Sequence, residues 1–378
     1  MQRWDELVGQ DEAVRTVEAA VADPATLAHS WLITGPPGSG RSTLALAFAA
    51  QLLAQGEADG GDRARAMVGA GTHPDLHVLS TDRVVITMDE VRQLVAQSQF
   101  SPSVARWRVV VVEDADRMAE RTSNVLLKAL EEPPPRTVWI LCAPSEADLL
   151  PTIRSRVRTL RLHVPSVDDV ARLLVSRDGV EPALAARAAR EAQSHIGMAL
   201  RLATDEPSRL RRERTVAVAL GVRTATDAVL AAQQLLELAK ADAEEFGQQQ
   251  EAQEREALLR SLGIEEGGTV PPQLRAEVRR LEEDQKRRAT RALRDGVDRV
   301  LVDLMSVWRD LALIRLGTPI ELVNAAAESA LRTAAAVTTA PRAVAALDAI
   351  GLARTRIDSN VPPLLALEAM AMAFRPRA

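Results

Sequence analysis

Ser30-Trp31-Leu32-Ile33-Thr34, then Gly35-Pro36-Pro37-Gly38-Ser39-Gly40-Arg41-Ser42, then Thr43-Leu44-Ala45-Leu46-Ala47-Phe48-Ala49-Ala50 decide how this chain folds. The first run is short and apolar and predicts a buried strand. The last is alanine-rich and predicts a helix. Between them the glycine spacing is that of a phosphate-binding loop, with arginine where that chemistry expects lysine. Strand, loop and helix N-terminus aim backbone N–H groups and a helix dipole at one anion. Gly35, Gly38 and Gly40 let the main chain bend around phosphate oxygens, and Ser39, Ser42 and Thr43 add polar atoms, with the Ser42 hydroxyl suited to Mg²⁺. The bland alternative is a glycine turn entering a core helix.

Arg41 alters what such a loop can do. Lysine is a compact point charge that threads between phosphates, whereas guanidinium is broad, planar and forked. Binding of ATP or ADP with Mg²⁺ is compatible with the change; efficient hydrolysis is not expected. Lys128, Lys240 and Lys286 are the only lysines, so composition accounts for part of the swap.

Trp107-Arg108-Val109-Val110-Val111-Val112 reads as a buried parallel strand. It ends in Glu113-Asp114-Ala115-Asp116, and carboxylates there lie over a phosphate loop in a doubly wound sheet. Glu113 and Asp114 are thus candidates to hold Mg²⁺ and polarise water. The competing reading is a polar strand end with Asp116 capping the next helix. A helix carrying Asn124-Val125-Leu126-Leu127-Lys128-Ala129-Leu130-Glu131-Glu132 should stop at Pro133-Pro134-Pro135. Val138-Trp139-Ile140-Leu141-Cys142 is the next expected strand. Ser155-Arg156 follows a Pro-Thr-Ile turn, a placement suiting an arginine aimed outwards.

These strings resemble clamp-loader AAA+ proteins. Asn124–Pro134 is similar to their N-A-L-L-K-x-L-E-E-P-P segment, Ser155-Arg156-Val157 to their S-R-C motif, and Leu7-Val8-Gly9-Gln10 to their adenine-side V-G-Q box. Gly71-Thr72-His73-Pro74-Asp75 and Arg106-Trp107-Arg108 resemble the delta-prime branch of bacterial DNA polymerase III. The resemblance covers residues 1 to about 205 well and rests beyond that on helical character and order. It implies an α/β AAA+ P-loop domain with a doubly wound parallel sheet over 1–163, a three-helix lid over 164–205, and an all-α collar over 206–378. It further implies a hetero-oligomer with gamma/tau-like ATPase and delta-like subunits, meeting the sliding clamp and primed DNA through the complex. Val8 would lie against the nucleotide, and Arg156 would reach into a neighbour's ATP site as an arginine finger. A salt bridge at the end of the first domain is the plain alternative for Arg156.

Departures from the family pattern point one way. Glu113-Asp114 reverses the usual acid order. The polar sensor after the fourth strand falls near Ala143 or Pro144, and the lid's sensor arginine falls on Gly197, with Arg201 close by. The expectation is a bracing subunit with weak or absent intrinsic ATPase. It would belong to a polymerase holoenzyme without a polymerase site of its own. The alternative is an active gamma/tau-like motor. His195 at a helix start reads as a cap or a surface group.

The chain has 378 residues, enough for two or three domains with real cores. A net charge of −5 argues against a self-sufficient DNA-binding surface, and 2% aromatic content without tyrosine leaves little for base stacking. Cys142 is the only cysteine, so no disulfide can form within the chain, which fits a reducing cytoplasm. Met1–Glu6 is polar, no signal peptide or membrane segment is expected, and the predicted location is cytoplasmic. The family's four-cysteine zinc module would fall near 57–65, where there is no cysteine. His73 and His77 cannot replace it, and Pro74 opposes a helix there, so no zinc and no other metal site is expected. Leu230, Leu235, Leu236 and Leu238 suggest an apolar stripe. Two charged helices, 241–260 and 273–296, are expected around a Gly267–Pro272 loop. Asp298–Trp308 reads as core or subunit interface.

Overall fold

The computed structural model describes residues 7–23, 27–57, 60–81, 85–261 and 275–375, with side chains between 245 and 284 described only at 279, 282 and 283. Met1–Glu6 and the Gly267–Pro272 loop lie outside the described residues. The chain divides into two compact units between Thr204 and Asp205.

The first unit runs α1 (Asp11–Ala22), β1 (Ser30–Thr34), α2 (Arg41–Leu53), α3 (Asp62–Gly69), β2 (Leu76–Leu79), α4 (Met88–Ser98), β3 (Arg108–Val112), α5 (Glu120–Glu131), β4 (Thr137–Ala143), α6 (Pro151–Arg154) and β5 (Arg158–Arg161). Three further helices, α7 (Val167–Asp178), α8 (Pro182–Glu191) and α9 (Ile196–Thr204), follow. Among the described residues the strands form one five-stranded, all-parallel sheet in the order β2-β3-β4-β1-β5.

Near-continuous apolar strands are what a sheet covered on both faces requires. Successive side chains alternate between the faces. Trp31, Ile33, Val109, Val111, Val138, Ile140 and Cys142 pack with α1 and α2. Leu32, Val110, Val112, Trp139, Leu141 and Ala143 pack with α4 and α5. Both helical layers are therefore written into β1, β3 and β4, and the doubly wound parallel α/β class expected from the sequence is the fold observed.

Parallel strands give the sheet two unlike edges. At the carboxyl edge lie the phosphate loop after Thr34 and the acids after Val112. At the amino edge lie Asp75 before β2, the Pro133–Pro135 stop before β4, and Arg156 before β5. The amino edge is tied by a buried carboxylate. Asp75 accepts from Ser103 N–H (2.6 Å), Ser103 Oγ (2.9 Å), Val104 N–H (2.8 Å) and Ala105 N–H (2.9 Å), and Arg108 Nη2 lies 3.2 Å away. His73 Nδ1 accepts from Asp75 N–H at 3.1 Å, and His77 Nε2 faces Arg108 Nη1 at 2.6 Å. Both contacts call for neutral imidazoles. Burial holds both below the ordinary histidine value, and Arg108 lowers His77 further. The two histidines thus serve a structural clasp.

Helices α7 to α9 share their own apolar cluster, including Val170, Leu174, Ala188, Ala189, Ala199 and Leu202. Ser166 caps α7 by accepting from Asp169 N–H at 3.1 Å, and the helix runs to Asp178. Gly179, at φ +67°, stops it.

The second unit contains α10 (Glu206–Gly221), α11 (Ala225–Ser261), α12 (Arg275–Leu316), α13 (Glu328–Ala336), α14 (Ala340–Asp358) and α15 (Pro363–Ala371), with no strand among its described residues. Its core takes Val300, Leu301, Leu304, Val307 and Trp308 from the segment read as core or interface. The expected leucine stripe needs correcting. Leu230 is 49% exposed, and the buried line on α11 is Ala228, Ala231, Ala232, Leu235 and Ala239. That line follows the 3.6-residue repeat, with small residues admitting close helix approach. A buried polar cluster holds the loop before α13. Asp310 accepts from Val323 N–H (3.1 Å) and Asn324 N–H (2.8 Å), and Arg212 Nη2 donates to Asn324 Oδ1 (2.7 Å).

Candidate functional site

The phosphate loop is built as the sequence implied. Helix α2 begins at Arg41 with Gly40 at φ +95° and no side-chain cap, so its first N–H groups are left for an incoming acceptor. A Cβ on Gly35 would stand 2.6 Å from Ser39 Oγ and 2.8 Å from Leu162 Cβ, so only glycine fits. Ser39 is buried, and its Oγ has no hydrogen-bond partner among the described residues. A buried hydroxyl without a partner beside an uncapped helix start is the polarity a phosphate group would satisfy. The residues present therefore fit a nucleotide phosphate.

Arg41 is committed within its own loop, its Nη1 donating to the Gly35 carbonyl at 2.6 Å. Gly35 N–H in turn donates to the Pro144 carbonyl at 3.2 Å, tying the loop to the end of β4. Where the sequence reading looked for a polar sensor, Ala143 and Pro144 offer a methyl group and a backbone contact. Ser42 and Thr43 are half-buried in the first turn of α2.

The acids lie at the end of β3, as expected. Glu113 and Asp114 are both half-buried, and Asp114 Oδ2 is 3.5 Å from Arg117 Nε. Asp116 does not cap α5, as the competing reading had it; it sits in a 3₁₀ turn, Ala115–Arg117. Burial pushes its carboxyl above the ordinary range, with Asp114 adding to the rise and Arg41 and Arg117 opposing it. Asp116 is thus electrostatically part of the Arg41 neighbourhood. Cys142 is buried, its thiol pushed up by burial to about 12, so it is inert at neutral pH.

Val8 is half-buried in the turn before α1. Gln10, next in that segment, clamps the end of the sheet domain: its Nε2 donates to the His163 carbonyl at 2.7 Å and its Oε1 accepts from His163 N–H at 3.1 Å.

The residue that sequence reasoning missed is His195. It does cap α9, its Nδ1 accepting from Met198 N–H at 3.2 Å. Its ring also packs on the phosphate loop, since a Cβ built on Gly38 would lie 2.3 Å from His195 Cγ. Gly38, at φ +77°, supplies both the backbone shape and the space. Gly197, where the lid sensor was expected, sits beside that ring, 3.6 Å from His195 Cε1 measured from its own notional Cβ. Nothing local in the sequence marks this long-range contact.

Arg156 stands on the turn after α6, exposed, at the amino edge. Its Nε donates to Glu131 Oε1 at 2.6 Å and its Nη1 to the Thr152 carbonyl at 2.7 Å and to Ser155 Oγ at 3.0 Å, with Nη2 paired to Glu131. The salt bridge that sequence reading offered as the plain alternative is therefore present within the chain. Among the described residues no group of three or more His, Cys, Asp or Glu side chains is placed to hold a metal ion by itself. Nor is any single helix among them long and apolar enough to cross a membrane.

Comparison with known proteins agrees with the motifs. Residues 9–166 match the family described as DNA polymerase III, delta subunit. The subunit delta' of Pseudomonas aeruginosa DNA polymerase III is 41% identical over 135 residues, 34% of this chain and 41% of that protein. Its Haemophilus influenzae counterpart is 36% identical over 160 residues, 40% of this chain and 48% of that protein. These matches span less than half the length of the relatives, and the family match lies in the first unit. A gamma subunit-related protein of Thermotoga maritima aligns over 97% of this chain and 99% of its own, with 18% identity and a TM-score of 0.42. The resemblance to delta-prime subunits expected from the sequence is thereby met in residues 9–166.

Proposed function

We propose that this chain is a delta-prime-like subunit of a bacterial clamp loader, one that braces the assembly and lends Arg156 to the ATP site of an adjacent gamma/tau-like ATPase subunit. One observation carries this reading. Arg158 pairs with Trp31 at the start of β1, whereas the phosphate loop begins after Thr34 at its end. At roughly 3.3 Å per residue, four residues of strand put about 13 Å between Arg156's edge and its own loop. Arg156 therefore has no route to its own nucleotide, which is the placement a residue lent to another chain's site requires. An arginine finger works by stabilising charge on a phosphoryl group in transfer, a role that needs no other chemistry from the donor.

Four features support a passive site of its own. Arg41 is spent on Gly35, Ala143 offers no polar sensor, the acids run Glu113-Asp114, and His195 occupies the face of Gly38. Gly35, Gly38, Ser39, Gly40, Ser42 and Thr43 would hold ATP or ADP through the phosphates, Ser42 and the acids would face Mg²⁺, and Val8 would lie on the adenine side. Partners in this reading are gamma/tau-like and delta-like subunits, with sliding clamp and primed DNA met through the complex, in the cytoplasm.

The test is reconstitution with those subunits and measurement of ATPase with clamp and primed DNA. Arg156→Ala should assemble normally and turn over more slowly; an unchanged rate would exclude the finger. Steady ATP turnover by the isolated chain, abolished by Arg41→Ala, would instead favour a motor subunit.

A further inference from the structure

A guanidinium carries five N–H donors. In Arg156, Nε–H and one Nη2–H go to Glu131, and both Nη1–H groups go to the Thr152 carbonyl and Ser155 Oγ. Only one N–H, on Nη2, is left for an outside acceptor. Arginine grips a phosphoryl group through parallel N–H pairs. The finger, as it stands in the free chain, has none to give.

Glu131 is the last residue of α5, at the helix end whose partial charge is negative, so a carboxylate there is disfavoured unless a cation joins it. Lys128 lies in the same last turn, and Arg156 is the cation paired with Glu131. The side chains are 33% and 44% exposed, so the pair is hydrated, screened by salt and easily exchanged. A polyphosphate presents more negative charge and more acceptor oxygens than one carboxylate.

We propose that Glu131 is a positioning residue that keeps Arg156 stowed on its own chain until a neighbour's nucleoside triphosphate displaces the carboxylate. Thr152 and Ser155 hold Nη1 throughout, so the guanidinium turns about a fixed end, and Glu131 acts on the foreign phosphate only through Arg156. This deepens the finger reading and rests on it.

The experiment compares wild type, Arg156→Ala, Glu131→Gln and the double variant in the reconstituted loader, with assembly followed by size exclusion and ATPase read with clamp and primed DNA. Glu131→Gln should raise turnover about 2- to 5-fold at low salt. The gain should shrink as ionic strength rises and vanish in the Arg156→Ala background. If the Gln variant fails to assemble, Glu131→Asp, which keeps the charge but withdraws it by one methylene, should show a smaller gain of the same kind. An unchanged or lowered rate in an intact complex, or the same gain without Arg156, overturns the stowing and leaves the finger standing. No loss on Arg156→Ala overturns both.

Discussion

Arg41 and Arg156 stand at opposite edges of one sheet and show how differently the two edges are kept. At the carboxyl edge Arg41 turns back onto its own loop, and a lid histidine covers Gly38. At the amino edge Arg156 stands exposed on a short turn before β5, while the buried Asp75 clasp fixes the far end of that edge at β2 and β3. In the proposed reading, a nucleotide site shared between chains would draw its two halves from these separate edges. One half can lose its chemistry while the other keeps its geometry, because no side chain serves both.

The sharpest way to break the comparison is Arg156→Ala. At the one site it serves, turnover should fall about 10³-fold, in the range removed with other arginine fingers; single-turnover hydrolysis in the reconstituted complex reads that site. A loss confined to complex stability would make both edges merely structural.

Next in size is Asp75→Ala. It leaves Arg108, 7% exposed, without its buried partner, and should cost about 3 kcal/mol, read as a lower urea midpoint at constant m-value. Acid should loosen the same clasp in two stages. His73 and His77 are held below the ordinary histidine value, so their contribution is complete above about pH 6.5 and fades as pH falls below it. Burial alone would raise the Asp75 carboxyl, but the donors from Ser103, Ala105 and Val104 outweigh it and hold it below the usual range. Its contribution is complete above about pH 4 and is lost as pH falls through the lower folded value. A stability curve flat between pH 7 and 4 would contradict the histidine stage.

Gly38→Ala sharpens the description of the carboxyl edge. Strain at positive φ and collision with His195 should cost about 1–3 kcal/mol in thermal unfolding. Adding His195→Ala should return part of that loss, which it would not if the ring lay elsewhere. The smallest effect belongs to Arg41→Lys. It should tighten ATP binding by only about threefold and leave the isolated chain without useful turnover, because Ala143 still offers no sensor. Equilibrium dialysis and a phosphate-release assay measure both.

Much of this could be read from residues in order. The β1–loop–α2 run and the valines of β3 announced themselves, because strand burial and glycine spacing are local signals. The clasp did not. His73-Pro74-Asp75 was visible as a resemblance, but a carboxylate reaching forward to Ser103–Ala105 depends on strand pairing that no local pattern encodes. His195 was read correctly as a cap and missed as a cover for Gly38 for the same reason. On α11, counting leucines pointed to Leu230, whereas the buried line is made mostly of alanines whose periodicity is quieter. Arg156 was found by motif, but its hold on Glu131 needed the end of α5 and the turn after α6 to be brought side by side.

Strand direction has a further consequence for symmetry. A two-fold dimer matches every patch with its own copy, so it would press turn on turn or loop on loop. Arginine from one molecule meets the cradle of another only when unlike surfaces join, head to tail. An open row of that kind has two distinguishable ends, and at one of them a member's cradle faces no donor. If Arg156 is lent as proposed, a chain with a sound turn and a worn cradle would suit that terminal place.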